Sequence, residues 1–143
     1  MKKVLFIALL LPLLSRAQFK IVNNSVSNLV ELREGTWPIT LQRVTRDSDT
    51  SYVLLFRDQH YLDDVIMTTF KFGSADQLKY FQKGLAALKS GNNGDMAKYK
   101  DYSIKRVDVK RQGTWYVLNC NDGAVTNFQQ TEADKLMAAA ASL

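Results

Sequence analysis

The sequence predicts an α+β protein: an antiparallel sheet of about six to eight strands, built from two strand-strand-strand-helix halves, with two helices packed on it. Three observations lead there. Short alternating apolar runs are separated by turn-forming residues, the pattern of hairpin-linked strands. Each series of such strands ends in a helix start, at Ser74 and near Glu132. The element order of residues 37–91 recurs in 98–143, and strands in series closed by a helix place helices on antiparallel sheet, not in parallel crossovers.

The first eighteen residues, MKKVLFIALLLPLLSRAQ, set Lys2 and Lys3 before an apolar run from Val4 to Leu14. That is the layout of a secretory signal peptide. The run is shorter than the roughly 20 helical residues needed to span a hydrocarbon core, and Pro12 interrupts it, so cleavage near Gln18 is expected rather than anchoring. No cysteine closes the segment to carry a lipid. Cleavage removes Lys2, Lys3 and Arg16 and no acid, leaving sixteen bases against fourteen acids and lowering the formal charge from +5 to +2. The expected destination is the periplasm, the outer-membrane surface or the medium, with no membrane-spanning segment in the mature chain.

Residues 19–36 mix Phe19, Ile21, Val22, Val26, Leu29 and Leu32 with asparagine and serine and read as an N-terminal arm or an extra strand. From Trp37 to Arg46 the β-branched run WPITLQRVTR predicts a strand with Pro38 near its start. After the turn RDSDTS, Tyr52 to Arg57 is a strand apolar on both faces, and Val65 to Phe72 is a third beyond the polar bend RDQHYLDD. Ser74-Ala75-Asp76-Gln77 is a capping box. It opens a helix whose stripe Leu78, Phe81, Leu85 and Leu88 faces the sheet, and Gly91 is placed to end it in the left-handed conformation. The second half repeats the order: strands from Tyr102 to Arg111, Thr114 to Cys120 and Ala124 to Gln129, then a helix from about Glu132. Gln112-Gly113 and Asp122-Gly123 supply the turns. Cys120, the single cysteine, falls beside Tyr116 and Leu118 on one strand face and reads as a buried apolar residue.

Catalytic chemistry is sparse. His60 is the one histidine, and with Asp63 or Asp64 it supplies the only base-and-carboxylate grouping, which keeps a small hydrolase as an alternative. No serine or cysteine stands in a nucleophile context, and the seven glycines are too dispersed for a phosphate loop. Asp47 and Asp49 share only their spacing with a calcium loop. No cofactor, metal or catalytic residue is assigned.

The densest positive segment holds Lys98, Lys100, Lys105, Arg106, Lys110 and Arg111, interleaved with Tyr99 and Tyr102. Cations that track phosphates beside aromatic faces that accept bases suit a nucleic-acid strand. A strand with a charged solvent face explains the same residues.

A 58-residue shift sets Phe70 on Phe128 and Ala75-Asp76-x-Leu78 on Ala133-Asp134-x-Leu136. This repeated FxxxxADxL, closing each strand series, resembles the duplicated sheet-plus-helix layout of the Whirly-like single-stranded nucleic-acid-binding fold. The resemblance implies units of four strands and a helix, one strand more than is read in the second half. It carries over no binding residue, and a fold does not transfer a function. The reading that remains is an exported, non-catalytic accessory or scaffold protein that binds an envelope or extracellular protein. Trp37, Tyr52, Tyr61 and Trp115 are the candidate contacts, since aromatic residues are enriched in interface hot spots. Nucleic-acid binding by residues 98–111 is the alternative.

Overall fold

Among the described residues, hairpin alternation builds eight strands into two four-stranded antiparallel sheets, and the fold is α+β. The computed structural model describes residues 23–33, 35 and 37–143; the expected signal peptide lies outside them. The first sheet runs β1 (Asn24–Arg33), β2 (Ile39–Arg46), β3 (Asp49–Arg57) and β4 (Met67–Phe72) in chain order, followed by helix α1 (Ala75–Lys89). The second runs β5 (Met96–Lys98), β6 (Tyr102–Val109), β7 (Gly113–Cys120) and β8 (Val125–Gln129), followed by α2 (Gln130–Ala141).

Several sequence expectations are corrected. Of the two readings of residues 19–36, the described part, Asn24–Arg33, takes the extra strand, whose pairing with β2 shifts register between Asn28 and Val30 and again between Glu31 and Arg33. Each shift moves the following side chains to the other face, which erases the alternation a strand normally shows. The second half does hold a fourth strand, β5, which at three residues is too short for any period to register. β4 begins at Met67, not Val65, and α2 at Gln130, not Glu132.

Capping explains where α1 begins. The Ser74 hydroxyl accepts the Gln77 N–H at 3.3 Å, while the Gln77 side-chain oxygen reaches one residue further back, to the Gly73 N–H at 2.5 Å. At the other end Gly91 is not left-handed. Its N–H donates to the Leu88 carbonyl at 3.1 Å, and a Cβ there would stand 2.7 Å from an Asp95 carboxylate oxygen, which would have to move aside. Gly123 does turn left-handed, at φ 94°, as the Asp-Gly hairpin requires.

The two halves correspond, but not at the 58-residue shift. Tyr52 pairs with Phe72 across β3 and β4 as Tyr116 pairs with Phe128 across β7 and β8, so Phe72, not Phe70, is the counterpart of Phe128. In the helices the buried stripe Leu78, Phe81, Leu85 and Leu88 matches Ala133, Leu136, Ala140 and the partly buried Leu143. The repeated Ala-Asp-x-Leu is therefore one helical turn out of structural register.

The core is one cluster spanning both sheets. Helix α1 packs on β5 and β6 as well as on β3 and β4, and α2 packs on β1 as well as on β7 and β8. Phe81, fully buried, meets Phe72 of the first sheet at 5.2 Å and Tyr102 and Phe128 of the second at 5.5 and 6.4 Å between ring centroids. A charged clamp repeats the linkage. Glu132 accepts the Gln129 N–H at the start of α2 and binds Arg33 of β1 through both oxygens, at 2.8 and 2.6 Å.

Phe81→Ala removes the ring shared by both sheets and is expected to cost about 3–5 kcal/mol. Urea denaturation should show it as one cooperative transition at a lower midpoint, with no separate unfolding of either half.

Candidate docking site

The connection from β3 to β4 spans residues 58–66, where the equivalent connection in the second half needs only 121–124. Two buried charges hold its root. The Arg57 guanidinium lies 3.8 Å from the centre of the Trp37 ring and donates to the carbonyls of Leu62 and Asp64 at 3.1 and 3.2 Å. Asp58, equally buried, accepts the N–H of His60 at 2.9 Å and the N–H of Val125 at 3.0 Å. Gln59 then donates its N–H to the Val125 carbonyl at 2.8 Å and accepts from the Asn127 side chain at 2.6 Å. The loop root thus continues the pairing along β8 and ties the first half to the edge of the second sheet.

Beyond this root the chain turns its apolar residues outward. Tyr61, Leu62, Val65, Ile66 and Met67 are all exposed, Leu62 at 70% and Val65 at 67%. Single exposed apolar residues are ordinary, but five within seven positions form a patch of the kind that marks an interaction site.

The patch borders a cleft of about 310 Å³ lined by Arg33, Trp37, Gln59, Leu62, Trp115 and Asn127. Trp115 and Asn127 also line an adjoining groove of about 250 Å³ with Val107, Val109, Gln112 and Val117. Both lie on the outer face of the second sheet, because Tyr116, Leu118 and Ile104 turn to the core and their strand neighbours point away. On that face Val107 pairs with Trp115, and Lys105 pairs with Val117. The Trp115 indole N–H is buried with no hydrogen-bond partner among the described residues.

Two of the four aromatic candidates therefore converge. Trp37 and Trp115 line the cleft, whereas Tyr61 is exposed on the loop and lines a different cavity, with Asp58 and His60. Tyr52 does not join them; it is 7% exposed, paired with Phe72 in the core, because its strand position falls in phase with Leu54 and Phe56. The six basic candidates do not form one surface. Lys98 and Lys105 are exposed on the outer face, Lys100 lies in the following turn, and Lys110 and Arg111 are at the β6–β7 hairpin. Arg106 points the other way: it donates to the carbonyls of Leu88 and Lys89 at 3.0 and 2.8 Å, capping the end of α1, and to Asp108 at 3.1 Å. His60 is exposed, its ring edge-on to Tyr61, at a cavity of about 330 Å³ shared with Asp58, Thr68 and Asp122. Among the described residues no group of three or more histidine, cysteine or carboxylate side chains is placed to hold a metal, and no helix is long and apolar enough to cross a membrane.

The buried pair Arg57-Asp58 and the outward loop are not anticipated by reading RDQHYLDD as a polar bend. The signal present was the consecutive run Val65-Ile66-Met67, which breaks strand alternation just where the strand was expected to begin. Comparison with protein-family models, curated proteins and solved structures gives no match.

Cys120 is buried beside Tyr116 and Leu118, as alternation predicts. Burial, reinforced by the carboxylates of Asp122 and Asp58, pushes its thiol up to about 12. Burial likewise raises Tyr102, with Tyr99 and Asp101 adding to it. Groups that hold their protons more tightly when folded stabilise the fold fully below the pKa of the unfolded chain and lose that contribution as pH rises toward the folded value. Stability should therefore decline between about pH 9 and 12, and iodoacetamide should label Cys120 at pH 8 only after denaturation, which mass spectrometry of the alkylated chain would read.

Proposed function

We propose that the chain is an exported, non-catalytic accessory protein of the cell envelope or the extracellular space, and that it binds another protein through the 58–66 loop and the tryptophan-lined cleft. One observation carries this reading: a rigidly rooted loop holds apolar side chains in water beside two half-buried tryptophans. Leaving large apolar side chains exposed forgoes about 1.5–3 kcal/mol for each one that burial would gain, and a partner's surface recovers it. Because Arg57 and Asp58 fix the loop root by hydrogen bonds to main chain, little ordering entropy remains to be lost on binding. Trp115 and Trp37 supply the kind of anchor around which interface energy concentrates.

The nucleic-acid alternative draws less support. Arg106 is engaged at the end of α1, and the remaining five cations are spread between a turn, a sheet face and a hairpin. The export expectation rests on the N-terminal Lys-Lys and apolar run, and its test is the site of cleavage and the fraction in which the protein is found.

Affinity purification from fractionated cells in mild detergent, with mass spectrometry, tests the reading. The cleaved chain should come from the envelope or medium with a stoichiometric protein partner. Leu62→Asp, at a solvent-exposed position, should leave folding intact and reduce that partner's recovery by about tenfold or more. Equal recovery with the variant, or an uncleaved chain recovered with nucleic acid, would overturn it.

A further inference from the structure

We propose that this surface pairs with a second copy of the same chain about a twofold axis, each copy's 58–66 loop lying in the valine-lined groove of the other. The inference rests on the docking reading above and names its partner.

The arrangement of the face carries it. Leu62 lines the cleft, Val107 and Val109 line the groove, and Trp115 and Asn127 line both, so loop, tryptophan and valines follow one another across a single surface. A twofold contact requires a patch complementary to itself, in which residue i meets residue j and j meets i. Here the projecting element and the receiving groove adjoin in one molecule. An axis passing beside Trp115 brings Leu62 of one copy over Val107 and Val109 of the other, and the reverse contact forms by symmetry.

Charge points the same way. The loop carries Asp63 and Asp64 and neither lysine nor arginine, whereas the strand and hairpin bordering the groove carry Lys105, Lys110 and Arg111. Asp108, the acid on that strand, is turned to the opposite face, where Arg106 and Thr114 bind it. Acidic loop therefore meets basic rim, and the apolar residues between them leave water together. No rearrangement is needed, because the loop root is already fixed.

Sedimentation velocity of the purified protein over a range of concentrations tests the pairing, with circular dichroism confirming that each variant is folded. The wild type should show a monomer–dimer equilibrium and no larger species. Leu62→Glu and Val109→Glu should each weaken dimerisation by about 30-fold or more. A monomer at every concentration, a dimer indifferent to Leu62→Glu or to Val109→Glu, or a mass that grows past two copies would each overturn the proposal. A monomeric wild type whose partner recovery still falls with Leu62→Asp would overturn the twofold pairing alone and leave the docking reading standing.

Discussion

Each half of this chain forms a sheet with one apolar face and contributes a single helix, and neither half covers its face alone. The solution is exchange: α1 reaches across to β5 and β6, and α2 reaches back to β1. Gly84 shows how close that approach is, since a Cβ on it would stand 3.4 Å from the Cβ of Ala97 in β5. Each helix therefore covers core of the other half, and the recurring four-strand-and-helix order is built around one shared core. Arg33 with Glu132 and Asp58 with Val125 add polar ties across the same boundary.

The repeat is unequal where it matters for function. Both halves close β3–β4 and β7–β8 on matching aromatic pairs, but one joint is a tight Asp-Gly turn and the other a nine-residue excursion. The excursion requires two buried charges, which is costly unless their hydrogen-bonding capacity is met. One guanidinium nitrogen of Arg57 donates to two loop carbonyls, and Asp58 accepts from two main-chain amides. Such an arrangement holds the loop's trajectory while its apolar side chains face outward, so the expense lies in the scaffold and its result on the surface.

Legibility in the sequence followed the range of the physics. Ser74, Gln77, Asp122 and Gly123 act on neighbours within a few residues, and their effects could be read directly. Strands that alternate were found, and Cys120 was placed on its correct face. What stayed hidden was non-local or too short to show a period. β5 has three residues; β1 is broken by register shifts; the division into two sheets depends on how the helices cross between them. Arg106 looked like one cation in a basic run because nothing nearby in sequence reveals that the end of α1 lies beneath it. Of the site, the tryptophans and Tyr61 were named from residue type alone. The meeting of the two tryptophans with Leu62 depends on Asp58 fastening a loop of one half to a strand 67 positions away.

The chain holds two tryptophans in all, and both line the same cleft. Trp37 lies against a guanidinium and Trp115 has its indole N–H shut away from solvent, so the two emit from unlike surroundings only a short way apart. Light absorbed by indole anywhere in this molecule is therefore absorbed at the candidate site. The protein carries its own optical probe there: any occupant that displaces water from the cleft alters the colour and yield of the whole protein's indole fluorescence, with no label to attach and no background from elsewhere in the fold.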